Sequence, residues 1–145
     1  MTTAAEAEER CANLVILCTR LGAMLADETK AFEARRPMDV QAGQAETQKL
    51  ANLYRHESLR IRQDPGLVAA ASAPARRRLM AAVQGFEVIL ARHGRAVYAA
   101  KTVSEGLVQA LATEIAAHRT QVATYGPGAR SGKGSATAIT LNKRA

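Results

Sequence analysis

The 145 residues carry 20 basic and 13 acidic groups, a formal charge of +7. Apolar residues make up 48%, yet 31 residues are alanine, aromatics are 3% and tryptophan is absent. That length holds one domain and excludes a second folded unit. The shortage of aromatic and β-branched side chains argues against a sheet protein, and the alanine content favours long helices in close contact.

The first helix is expected over residues 3–36. Thr2 or Thr3 can cap it, and Glu6, Glu8 and Glu9 lie near its positive dipole end. Its apolar stripe reads Leu14, Leu17, Cys18, Leu21, Met24, Leu25, Phe32, in steps of three and four that place them on one face. Pro37 ends it, because proline lacks the donor and disfavours helix at the residue before. A second, more polar helix is expected over 38–63, with Val40, Leu50, Leu53, Tyr54 and Ile61 as its stripe and Asp64-Pro65-Gly66 as its stop. A small-residue linker follows, with Pro74 suited to the first turn of a third helix and Ser72 or Ala73 before it.

The third helix is expected over 74–124, about 75 Å at the usual rise. Its stripe runs Leu79, Val83, Phe86, Leu90, His93, Val97, Ala100, Ser104, Leu107, Leu111, then shifts to Val108, Ile115 and Val122. A helix of this length does not bury its stripe alone, so antiparallel packing is the natural solution. Residues 126–145 hold four basic and no acidic groups and begin Gly-Pro-Gly, a composition expected to stay disordered, with Ile139 and Leu141 as apolar anchors near its end. The fold expected is all-α: an antiparallel three-helix, coiled-coil-like bundle (residues 1–125) with one long C-terminal helix and a disordered tail (126–145).

Cys11 and Cys18 are seven positions apart, about 10 Å along a helix and too far for a disulfide. Free thiols fit a reducing cytoplasm. The polar, acidic start is unlike a signal peptide, and the longest strongly apolar run, residues 14–18, is far too short for a membrane span. A soluble cytoplasmic protein without membrane insertion is expected.

Several constellations invite a chemical reading and fall short of it. Gly128-Ala-Arg-Ser-Gly132-Lys133-Gly134 has three residues between its first glycines where a P-loop has four, and glycine where the magnesium-binding hydroxyl belongs. His56, His93 and His118 form no helical metal pair. Glu28, Glu57, Glu105 and Glu114 lie at or beside the stripes without a nucleophile or orienter. Arg76-Arg77-Arg78 lacks the aromatic platforms or groove-reading element of a nucleic-acid module. No enzymatic activity, cofactor, metal or nucleic-acid partner is expected. The apolar stripe beyond the reach of the shorter helices is the best lead, since an open groove between long helices accepts an amphipathic helix. Val108, Leu111, Ile115 and Val122, with Ile139 and Leu141, are the expected partner-binding residues.

The wording Ser104-Glu105-Gly106-Leu107-Val108 and Tyr125-Gly126-Pro127-Gly128, with Lys49-Leu50, Leu53-Tyr54, Asp64-Pro65 and Arg76-Arg77-Arg78-Leu79, resembles the FlgN-like flagellar secretion chaperones, in particular their short alphaproteobacterial FlbY-type branch. The resemblance covers about residues 10–128. It implies a cytoplasmic chaperone of flagellar type III export. Such a protein holds the terminal amphipathic helices of hook-associated or other axial subunits and delivers them to the export gate or its ATPase complex. It also implies gate docking for Tyr125, by analogy with a tyrosine near the end of the family's long helix. The alternative is a structural or regulatory coiled-coil protein of the flagellar basal body that self-associates.

Overall fold

The computed structural model describes residues 1–125, with side chains through position 123. Every regular element among them is helical: α1 Ala4–Glu33, a 3-10 segment Pro37–Gly43, α2 Gln44–Gln63, the single turn α3 Gly66–Ala69, and α4 Ala73–Tyr125. The chain divides into two units, Met1–Val103 and Ser104–Ala145.

The start of α1 is fixed by its sequence. Thr3 Oγ1 accepts from the Glu6 N–H at 3.2 Å, and Glu6 Oε2 accepts from the Thr3 N–H at 2.7 Å, a reciprocal capping box. Its end comes three residues before the expected Arg36. Ala34 closes the helix, and Arg35 turns left-handed at φ 58. The N–H of Arg36 then reaches Ala31 O at 2.8 Å and that of Arg35 reaches Phe32 O at 3.0 Å, the bond pair of a Schellman end. Pro37 follows the reversal rather than causing it.

The second helix begins at Gln44, not Met38. Residues from Pro37 form a 3-10 turn instead, and the change of helix type falls on Gly43, the weakest helix former after Pro37. The Thr47 hydroxyl donates to Gly43 O at 3.1 Å across this join. In the expected linker, α3 is one turn that leaves Leu67 and Val68 half-buried. Ser72 opens α4: its hydroxyl accepts from the Ala75 N–H at 3.4 Å, and its own N–H donates to Glu8 Oε1 at 2.6 Å.

Within Met1–Val103 the helices run up, down, up. Arg10 pairs with Glu57 and Arg20 with Glu46, so α1 and α2 are antiparallel. Glu8 meets Ser72, Glu28 meets His93 and Glu33 meets Arg92, so α1 and α4 are parallel. The main core joins Leu14, Leu17, Cys18, Leu21 and Leu25 of α1 to Leu50 of α2 and Phe86 of α4. Leu21 is fully enclosed, and truncation to alanine there costs about 2–5 kcal/mol. Gly22 lets α4 come close: a Cβ there would stand 3.2 Å from Ile89 Cδ1. A second core of Ala7, Cys11, Ala71 and Ala75 seals the end that holds the chain's start. α1 is thus the central element, and its stripe is buried as its periodicity requires.

Candidate functional site

The two outer helices of Met1–Val103 do not close over α1. They touch where Tyr54 and Phe86 stack at 4.6 Å between ring centroids. Around that contact lies a groove of about 740 Å³. Its floor is Leu21, Leu25 and Phe86. Gln44, Gln48, Ala51, Arg55, Leu59 and Arg62 of α2 form one wall, and Leu90, His93 and Val97 of α4 the other. Leu59, Leu90 and Val97 remain exposed along its lips.

The reason is compositional. Gln44, Gln48, Arg55 and Arg62 occupy the face of α2 turned toward α4, and long polar side chains do not surrender their water without partners. Burying Leu90 and Val97 against them would desolvate amides and guanidinium groups for little apolar gain.

One polar pair sits inside the groove. His93 Nε2 donates to Glu28 Oε2 at 2.9 Å, with the side chains 18% and 13% exposed. The Phe32 ring meets the imidazole edge-on, centroids 6.2 Å apart. Glu28 Oε1 is buried without a partner among the described residues. This is a hydrogen-bonded polar pair with an aromatic neighbour, bridging α1 and α4. Among the described residues no three His, Cys, Asp or Glu side chains come together as a metal site. Cys11 and Cys18 are free and buried, and burial pushes both thiols up, away from the reactive thiolate. Burial likewise raises the Tyr54 phenol. A second cavity, about 650 Å³ near the chain's start, is lined by Glu6, Glu9, Arg10 and Glu57 together with Leu14, Leu17 and Leu53.

In the unit Ser104–Ala145, every described side chain through position 123 is exposed. Leu107, Leu111, Ile115 and Val122 share one face of α4, exposed by 60%, 54%, 54% and 60%. Val108, exposed by 66%, borders that face. Four of the expected partner-binding residues are therefore uncovered apolar side chains on one helix. Tyr125 ends α4, but its side chain, like Ile139 and Leu141, lies outside the described residues, as does the tail expected to be disordered.

The groove itself was not legible in the chain. Leu90 and Val97 fit the α4 stripe and read as core, and Leu59 lies off the α2 stripe. The available signal was the row of glutamines and arginines on α2, which marks a helix that cannot dock closely on that side.

A curated relative, the flagellar basal-body protein FlbY of Caulobacter vibrioides, is 47% identical over 147 residues, covering 98% of this chain and 97% of the relative. The chain belongs to the FlbY family. Identity at that level over both full lengths makes it a FlbY-type flagellar protein. No protein-family model matches the chain. No solved structure matches it. No helix among the described residues is long and apolar enough to cross a membrane.

Proposed function

We propose that this FlbY-type protein is a flagellar export chaperone that works by binding, without chemistry of its own. It holds an amphipathic terminal helix of a hook-associated or other axial subunit before type III secretion. The observation that carries this reading is the exposed row Leu107, Leu111, Ile115 and Val122 on the part of α4, residues 104–123, where every side chain is exposed. Large apolar side chains in a row rather than scattered mark an interaction surface, and their i, i+4, i+8 spacing suits a partner helix. The resemblance to the FlgN-like chaperones supports the class of client and a cytoplasmic site of action, with delivery to the export gate through Tyr125.

The test is direct. Peptides spanning the terminal helices of the hook-associated proteins are titrated into the purified chain by calorimetry. Binding is expected, and Leu111→Asp is expected to abolish it while helical content by circular dichroism stays unchanged. Absence of binding by every such peptide rejects the chaperone reading.

A second reading is supported by the relative's description as a basal-body protein. The chain would then be a self-associating structural component of that assembly. It requires retention of the chain with isolated basal bodies, which a chaperone released before secretion does not show.

A further inference from the structure

We propose that the groove of Met1–Val103 receives residues 104–123 of a second copy of the chain, and that two copies make this contact reciprocally. The inference goes beyond the export reading and concerns what occupies the groove.

The two surfaces match in chemistry. The groove offers a floor of Leu21, Leu25 and Phe86 and lips of Leu59, Leu90 and Val97. Residues 104–123 offer Leu107, Leu111, Ile115 and Val122, all more than half exposed. Elsewhere among the described residues the exposed large apolar side chains off the groove, such as Ile16, Met38, Val88 and Tyr98, do not form such a row.

They also match in length. From Leu107 to Val122 the row covers about 22 Å of helix, and the α2 wall from Gln44 to Arg62 gives the groove about 27 Å. Charge agrees on one side. Arg55 and Arg62 on the α2 wall have no carboxylate partner among the described residues, and Glu114 stands beside the row. A helix footprint about 22 Å long and 10–12 Å wide, made twice and counted on both partners, comes to on the order of 1,000 Å². That is the lower threshold for a biological interface, the range of weak association that forms as concentration rises.

The competing arrangement lays the two rows on each other as a two-stranded coil. It would join four large side chains per helix, with His118 standing in the row between Ile115 and Val122, and leave both grooves wet. Insertion between α2 and α4 gives each side chain neighbours on two walls and a floor, so it buries more of the same atoms.

Light scattering on the purified full chain over a dilution series tests the proposal. The mass is expected to approach twice 15.4 kDa at high concentration. Ile115→Asp, in the row, and Leu90→Asp, on the lip, are each expected to return it to the single-chain value. Both positions are exposed, and circular dichroism checks that the helices persist; Leu59→Asp replaces Leu90→Asp if that variant loses structure. A wild-type chain that stays at single mass overturns the proposal. So does a dimer indifferent to both lip variants, which would mean rows packed on each other. The row serves both readings, so a client helix competes with the second copy for it; this readout contains no client peptide and therefore tests self-association alone.

Discussion

Glu28 Oε2 accepts a 2.9 Å hydrogen bond from His93 Nε2, tying the middle of α1 to α4 beside the Phe32 ring. Each partner satisfies the other in a place where water has little access, and Glu28 Oε1 already lacks a partner among the described residues. His93→Leu therefore strands a mostly buried carboxylate and is expected to cost about 1–3 kcal/mol of stability. The double variant Glu28→Leu, His93→Leu removes both polar groups and is expected to recover most of that loss. Urea unfolding of the two single variants and the double variant closes the cycle. Additive losses would mean the pair is energetically uncoupled.

Arg35 adopts φ 58 at the end of α1, where its Cβ crowds the backbone. Its neighbours Ala34 and Arg36 carry the reversal through backbone bonds to Lys30, Phe32 and Ala31. Glycine relieves the crowding and keeps those bonds, so Arg35→Gly is expected to stabilise the fold by about 1 kcal/mol. A rise in the thermal midpoint checks it; a fall would show that the exposed guanidinium contributes more than the strain costs.

Acid should weaken the bundle at its helix joins. Hydrogen bonds from Ser72 hold the Glu8 carboxyl below its ordinary 4.5, and the Arg92 guanidinium holds Glu33 below it in the same way. A carboxylate depressed in the folded state adds stability that is fully present above its unfolded pKa and is lost as pH falls through the folded value. The urea midpoint is therefore expected to hold from neutrality to about pH 5 and to drop below the ordinary carboxylate value of 4.5. Glu8→Gln is expected to flatten part of that drop. Glu33 and Arg92 are solvent-exposed and Glu8 is only partly covered, so salt should shrink the effect as well. A pH profile identical in wild type and Glu8→Gln would separate the Ser72 contact from folding.

The helices were legible because their signals are local. Thr2 or Thr3 reads as a cap with glutamates behind it, Leu14 to Leu25 recur in steps of three and four, and Asp64-Pro65 stops the second helix. The join at Gly43 was not, since proline and glycine six residues apart allow either helix type until Thr47 is buried over the turn. The small-residue core of Ala7, Cys11, Ala71 and Ala75 was hidden for a different reason. In a chain with 31 alanines, no single alanine is marked as a contact.

The order of residues by itself determined helices as the elements of residues 1–125, the capped start of the first, the stop of the second at Asp64-Pro65, and an apolar row along the last. Periodicity settles which side chains share a face, because 3.6 residues per turn is a property of the backbone alone. Only the tertiary structure decided which faces are covered. Phe86 and Leu90 belong to one stripe, yet the first is buried against α1 and the second lies open on the groove. The difference comes from what stands opposite. α1 offers leucines and a glycine to Phe86, while α2 offers glutamine and arginine to Leu90, and burial is favourable only where the facing surface gives up its water as readily.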